Sequence, residues 1–481
     1  MFELLMWTVL GSLYGLFIGI IPVSGPTKAL IMLFSVVNHF SHIPYEFVAF
    51  SMAAVVACTI GDSFSGVYIG IPGSNSSAAT MVDGFPLTKA GQSSYAISLA
   101  LTTSGIQGII WFVPFLIVLP LYEYILQYMK VPEMWVIILF SFLSVSLLSS
   151  NKPLKGILAV IIGVGLGSIG SDVTGNPRFT FGMEYYLYDG IGIAVLASGL
   201  FCIPELYTLC KFDMKSVKEN SDFKQIKKGI IDAIRLWKHG FVGGLIGFFY
   251  GLLPGYGGGG SEWISYSIAT KMKRVFSTPF GKGAPEGIVA PEGVNNAGKA
   301  GALIPTILIG IPGATWAMIA MGLWEYIGFP MGDLYILEDK NFINSIIIGY
   351  LVGTISVTIF GLLLAGPISK IFRINKYFFI AFVALVTWWA IISSNFYEFI
   401  LEDSIFFIVF SFCGFILKHF KISRPAVLLG FILSERLEQF SYQLIDLYSF
   451  QEIIIRPFVI IIMLLSILMV IFSKKVKVDY V

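Results

Sequence analysis

The stretch PEGVNNAGKAGALIPTILIGIPG, residues 291–313, sets a carboxylate, two adjacent amides and a lysine directly before an apolar run broken by two prolines and crowded with glycine. A membrane segment with so many helix breakers must have partners for the backbone groups the breaks release. The rest of the chain shows that a membrane is its setting. Of 481 residues, 56% are hydrophobic and 12% charged, with a mean hydropathy of +0.83. A soluble domain carries roughly 25% charged residues.

A crossing helix needs about 20 apolar residues. Residues 343–364, 377–392, 400–417 and 453–472 read as uninterrupted spans. Residues 4–22, 45–60, 67–82, 95–126, 134–148, 154–169, 190–204, 241–254 and 302–327 are equally apolar but interrupted by Gly, Pro, Ser or Asn. The expected fold is therefore an all-α integral membrane protein with about ten to twelve transmembrane helices, some broken or re-entrant.

The net charge of +2 identifies no partner, and none of the nucleic-acid kind is expected. The placement of charge says more. Residues 211–238 hold eight Lys or Arg against four acidic residues, and the tail carries Lys474, Lys475 and Lys477. Both read as cytoplasmic. No basic residue precedes the first apolar segment, so that segment reads as a membrane helix rather than a cleavable signal. The four cysteines sit in or beside apolar segments without metal or redox spacing. His39 and His42 show no third metal ligand.

The basic stretch divides the chain into a first membrane unit (1–210), a linker (211–238), a second unit (239–452) and an added C-terminal helix with its tail (453–481). The two units share landmarks. GLFIGIIPVSG (15–25) is matched by GLIGFFYGLLPGYGGGG (244–260), GIPG at 70–73 by GIPG at 310–313, and GFP at 84–86 by GFP at 328–330. A weaker pair sets Gly167 and Asp172 against Gly430 and Glu435. The chain reads as two diverged copies of one unit.

Paired, Gly/Pro-broken membrane segments in a duplicated chain point to secondary transport, with the site at the tips of discontinuous helices. At 70–80, Pro72 stops the helix, Gly73 allows a turn, and Ser74, Asn75, Ser76 and Ser77 supply hydroxyls and an amide where a new helix starts. Such a helix start attracts anions. The bland alternative is an ordinary polar loop. In the second unit Gly255, Tyr256, Gly257 and Gly258 permit close backbone approach, and Tyr256 offers a ring or hydroxyl to a carboxylate. Glu262 reads either as a helix-start residue or as part of the site. Gly313, Ala314 and Thr315 follow the second break, Thr315 in a place similar to that of Asn75.

These motifs carry a family resemblance. FGKGAPEGIVAPEGVNNAGKAGALIPTILIGIPG (280–313), IPGSNSSAATMVDGFPLTKAGQ (71–92) and GLLPGYGGG (251–259) resemble the signature of the large membrane subunit of tripartite tricarboxylate transporters, over roughly residues 8–440. The resemblance implies cation-coupled uptake of di- or tricarboxylates across the cytoplasmic (inner) membrane of a prokaryote. It implies an extracytoplasmic substrate-binding protein and a small transmembrane subunit as partners, and two inverted repeats in the lipid bilayer. It implies no cofactor beyond sodium ions or protons as coupling ions.

The substrate would lie against Ser24, Gly25, Gly73, Ser74, Asn75, Ser76, Gly255, Tyr256, Gly257, Gly258, Gly313, Ala314 and Thr315. Asn295, Asn296, Asp62 and Ser63 would serve the cation, with asparagine oxygens as hard ligands. Three positions depart from the family pattern. Relatives usually read Pro-Gly-Leu-Gly where this chain has Pro22-Val23-Ser24-Gly25, Gly-Gly-Ser where it has Gly61-Asp62-Ser63, and Pro-Gly-Pro where it has Pro330-Met331-Gly332.

An acid such as Asp62 at membrane depth is costly; it either binds a cation, carries a proton, or lies at a wet helix end. Asp83 belongs either to a simple turn or to the motif. Asn295 and Asn296 could instead cap a helix, with Glu292 and Lys299 as solvated charges or a local ion pair. The rivals are a stand-alone carrier for another organic anion, a passive channel, and an intramembrane enzyme. The last would need a Ser–His pair, paired aspartates or a histidine cluster at depth, and no such set stands out.

Overall fold

The computed structural model describes residues 1–22, 24–34, 36–121, 124, 128–148, 153–211, 222–253, 260–332, 334–371, 376–394 and 398–473. The protein is an all-α integral membrane protein. Among the described residues, five helices are long and apolar enough to cross a bilayer: Phe2–Ile20, Pro44–Ile69, Ser93–Leu121, Lys340–Ser369 and Ile400–His419. Outward-facing Leu, Ile, Val and Phe remain exposed on several of them, as lipid contact requires.

The first half opens with α1 (Phe2–Ile20) and α2 (Gly25–Leu33), which fold back on each other. The Tyr14 hydroxyl donates to the Ala29 carbonyl across the pair (2.7 Å), and Phe40, beyond α2, returns to within 5.1 Å of the Trp7 ring. Next come α3 (Pro44–Ile69), a break, α4 (Ala78–Lys89) and α5 (Ser93–Val118). After these stand α6 (Val131–Leu148), α7 (Pro153–Gly167) and α8 (Ile203–Lys211), the last reached through Ile193–Ala197 and a wider π turn at Ser198–Cys202.

The expected linker is helical over α9 (Phe223–Arg235). It packs on α5, with the Tyr95 hydroxyl donating to Asp232 (2.9 Å).

The second half also begins with a hairpin and a broken helix. Helices α10 (Trp237–Gly251) and α11 (Gly260–Ala269) form a second hairpin, followed by α12 (Glu286–Ile304), a π turn at Pro305–Ile309, a break, α13 (Thr315–Tyr326) and α14 (Lys340–Ile371). Helices α15 (Lys376–Ser394), α16 (Ile400–His419), α17 (Arg424–Leu447) and α18 (Pro457–Ser473) complete it.

Small residues set the packing. A Cβ on Gly11, Gly15 or Gly19 of α1 would strike the carbonyl oxygens of Phe50, Ala54 and Cys58 on α3. Gly243, Gly247 and Gly251 of α10 stand in the same relation to Ala290, Val294 and Gly298 of α12. Close backbone approach of this kind drives association where lipid gives no hydrophobic reward. Both pairs run parallel. Helices α5 and α14, by contrast, run antiparallel: a Cβ on Gly105 would strike Thr358, while one on Gly108 would lie 3.5 Å from Thr354.

Two expected landmarks differ. Gly84-Phe85-Pro86 lies inside α4, whereas Gly328-Phe329-Pro330 follows the end of α13. The turn that matches Gly328 is Gly91, since both have positive φ (+73° and +96°) and each closes its helix with the same hydrogen-bond pattern. Helices α7 and α17 pack through glycine: a Cβ on Gly163 would strike Val427, one on Gly430 would strike Val160, and one on Gly167 would strike Phe431 and Ser434.

The apolar stretch 67–82 is likewise not one segment, because α3 ends at Ile69 and α4 starts at Ala78.

Candidate functional site

Both breaks are built alike. Helix α3 ends on Gly70 (φ +69°, ψ 27°) and the π turn after α12 ends on Gly310 (φ +69°, ψ 26°). Only glycine adopts that conformation without strain. The following amides reach back to the same place, Ile71 N–H to the Ser65 carbonyl (3.4 Å) and Ile311 N–H to the Pro305 carbonyl (3.1 Å). The chain then doubles against its own helix. A Cβ on Gly73 would lie 2.6 Å from Asp62 Cα, and one on Gly313 would lie 2.7 Å from Ala302 Cα.

Past the glycines the breaks diverge. In the second half Ala314 caps α13 and Thr315 begins it, while the first half needs Ser74, Asn75, Ser76 and Ser77 before α4 starts. Thr315 therefore stands where Ala78 stands, not where Asn75 does, and the first break is longer by three residues. Those residues make the polar site.

The Ser74 hydroxyl donates to Asp62 Oδ2, Ser76 donates to the same oxygen (3.2 Å), and the two hydroxyls lie 2.6 Å apart. Asp62 is fully buried, and its Oδ1 has no partner among the described residues. An unpartnered buried carboxylate oxygen is costly, and invites a cation or proton.

The expectation that the break presents free amides to an anion is only partly met. Gly73 N–H (3.0 Å) and Ser74 N–H (3.3 Å) both donate to Ser77 Oγ, and Gly313 N–H donates to Thr306 Oγ1 (3.1 Å). Asn75 is exposed, away from the buried cluster. Ser24 is buried, and Gly25 (φ +64°) sits close enough that its Cβ would be 3.3 Å from that of Ser74. The first hairpin tip therefore meets the first break. Gly255, Tyr256, Gly257 and Gly258 lie outside the described residues.

The two asparagines part company. Asn295 donates to Glu292 Oε2 (2.7 Å), on the face that Ser63 approaches by donating to Glu292 Oε1 (2.6 Å). Asn296 turns toward α5 and α14. Its Cβ lies against Gly108, its backbone carbonyl accepts from the Tyr350 hydroxyl (2.7 Å), and both polar atoms of its side chain are buried without partners among the described residues. They do not form one ligand pair.

Glu292 is neither solvated nor paired to Lys299 as the bland reading held. It is fully buried and bonded to Ser63, joining α3 to α12 across the two halves.

A small, partly open cavity of about 20 Å³ lies between α10, α11 and α12, with room for roughly one water. Ser261, Glu262, Asn295, Lys299, Ala314 and Trp316 are among its walls. Glu262 is both a first-turn residue of α11 and part of this wall: it is buried, and Ser261 donates to it (3.0 Å).

Sequence reading missed Thr306 and the position of Lys299. It also left Asp83 open. Asp83 is buried and accepts from Gly283 N–H and Ala284 N–H (both 2.8 Å) and from the Tyr266 hydroxyl (2.8 Å), so α4 holds the entry of α12 and the second hairpin. In the reverse direction Trp324 of α13 donates to Ser51 of α3 (2.9 Å). A run of hydroxyls beside a Gly-Pro break was the signal for Ser77; nothing local marked Thr306.

A multi-pass helical protein with two hairpins, two broken helices and a buried polar seam between them is the class that this fold and site define. Residues 5–429 match the model of the tripartite tricarboxylate transporter TctA family, and the chain belongs to that family. It is a membrane component of tricarboxylate transport. Among curated relatives, an uncharacterized 52.8 kDa protein of Agrobacterium vitis, from the region 3′ of ttuC′ in TAR-I, is 28% identical over 450 residues, covering 90% of this chain and 86% of that protein. An uncharacterized protein from the corresponding TAR-II region of the same organism is 29% identical over 197 residues, covering 40% of this chain and 78% of the relative. No solved structure matches.

Proposed function

We propose that the chain carries di- or tricarboxylates across the cytoplasmic membrane of a prokaryote, coupled to a cation gradient. It takes substrate from an extracytoplasmic binding protein and works beside a small transmembrane subunit, as the tripartite family name suggests. The observation that carries the coupling is the fully buried Asp62 carboxylate with its open Oδ1, set at the first break beside Gly25 and Ser74. Two or three substrate charges cannot be buried without compensation. Cations at Asp62 and at the open Asn295 oxygen would supply part of it, and a half-loaded site would carry an uncompensated charge that resists movement.

The reading includes two inverted repeats. Support comes from helix direction: α1 is parallel to α3 and α10 to α12, α14 follows α3 (Gly349 on Ala49, Gly353 on Ala53), and α5 is antiparallel to α14. The basic linker places the start of α5 in the cytoplasm, through Tyr95 and Asp232. The N-terminus of α1 then lies outside, and the two hairpins enter from opposite faces.

Uptake of radiolabelled citrate and a dicarboxylate into vesicles holding this chain and its partner proteins tests the reading. Accumulation driven by an imposed sodium or proton gradient is expected. Gradient-independent flux would make it a passive channel.

A further inference from the structure

The glycine contacts fix the register between α3 and α12: Phe50 corresponds to Ala290, Ala54 to Val294 and Cys58 to Gly298. In that register, deep in the helices, charge appears in one half only at three places. Asp62 stands against Ala302, Glu292 against Met52, and Lys299 against Thr59. Glu292 already has Ser63 and Asn295. Asp62 is satisfied on one oxygen alone. Lys299 lines the cavity and lies within electrostatic reach of Glu262 and Asp62, and makes no ion pair or hydrogen bond among the described residues.

Trp316 lines the same cavity. It is 4% exposed, and its indole N–H has no acceptor among the described residues. An indole nitrogen can only donate. An ammonium and an unpaired indole N–H in the walls of one cavity are complementary to a carboxylate. The cavity's volume of about 20 Å³ admits one end group, not a whole tricarboxylate.

We propose that Lys299 and Trp316 form the subsite for one substrate carboxylate, and that Asp62 is the built-in anion that balances Lys299 when the site is empty. This rests on the carboxylate-carrier reading. In the empty protein the Lys299 charge is offset by Asp62 and Glu262. An arriving carboxylate takes over Lys299, and Asp62, with Oδ1 open, then needs a cation or proton. Substrate and coupling ion thereby bind more tightly together than apart, a coupling that must act equally in both directions. The titratable groups facing Asp62 are Cys58 on its own helix and Glu292 and Lys299 from α12, with Glu262 beyond Lys299.

The test is calorimetric binding of citrate to the purified full chain, with thermal melting to verify folding. One arm varies sodium at fixed pH; another varies pH in choline. Wild type should bind more tightly as sodium rises or as pH falls, whichever ion couples. Lys299→Gln should weaken binding about tenfold to hundredfold, the loss of a charge-assisted contact. Lys299→Arg should retain most of it, and Trp316→Phe should weaken it about two- to tenfold. Asp62→Asn should still bind citrate but lose the ion dependence.

Unchanged affinity in folded Lys299→Gln, or preserved ion dependence in Asp62→Asn, overturns the proposal while leaving carboxylate transport standing. Where Lys299→Gln fails to fold, Trp316→Phe with wild-type affinity overturns it. Wild-type protein that binds neither citrate nor a dicarboxylate overturns both this proposal and the transport reading.

Discussion

The break after α3 and the break after α12 begin identically and finish differently. Both close on a left-handed glycine, return an amide to the residue five or six positions earlier, and press a second glycine onto the parent helix. The second then restarts at once, through Ala314 and Thr315, while the first detours through Ser74, Asn75 and Ser76. The detour and the buried acid it wraps, Asp62, occur together, and the opposite half has an alanine in that place. A backbone device held in common has been given polar content on one side only. On the proposed reading, that asymmetry would let the carrier seat two unlike ligands, an anion and a cation.

The comparison breaks most sharply at the shared glycines. Gly73→Val and Gly313→Val each force a branched side chain into parent-helix backbone, and each should cost roughly 3 kcal/mol or more, read as lost folded protein in detergent melts. Tolerance at one position and not the other would mean the breaks are not equivalent.

Next in size is Asp83→Ala, which strips the acceptor from two buried amides and the Tyr266 hydroxyl; a loss of about 2–3 kcal/mol in melting stability is expected. Near-wild-type melting would show that α4 does not hold the second hairpin.

Ser74→Ala should cost about 1–2 kcal/mol with Asp62 intact and close to nothing in an Asp62→Ala background, a coupling that a double-mutant cycle measures. Additive losses would separate the detour from the acid. Smallest is Thr306→Val, which frees the Gly313 amide of its hydroxyl partner and should cost about 1 kcal/mol, seen as a modest drop in melting temperature.

Much of this was legible in residue order. Gly70-Ile71-Pro72-Gly73 and Gly310-Ile311-Pro312-Gly313 announced both breaks because proline ends a helix and glycine turns it, wherever they stand. The hairpin before each break showed as a glycine-rich apolar run. The match at Gly-Phe-Pro misled, because three letters of identity say nothing about whether a helix has ended; hydrogen bonding decided that, and chose Gly91 as the counterpart of Gly328. Adjacent asparagines suggested a joint ligand pair, yet neighbours on a helix point about 100° apart, so Asn295 joins Glu292 while Asn296 faces α5 and α14.

By itself, then, the sequence determined the membrane setting, the two breaks and the family, because each depends on composition or on local backbone chemistry that travels with the residues. Only the tertiary structure decided which buried charges meet. Ser63 reaches Glu292 across 229 residues, and Asp83 reaches Gly283 across 200. Lys299 and Trp316 share one cavity through the packing of α12 against the second hairpin and the restart of α13. Such pairings depend on how helices stack in three dimensions, and no spacing along the chain encodes them.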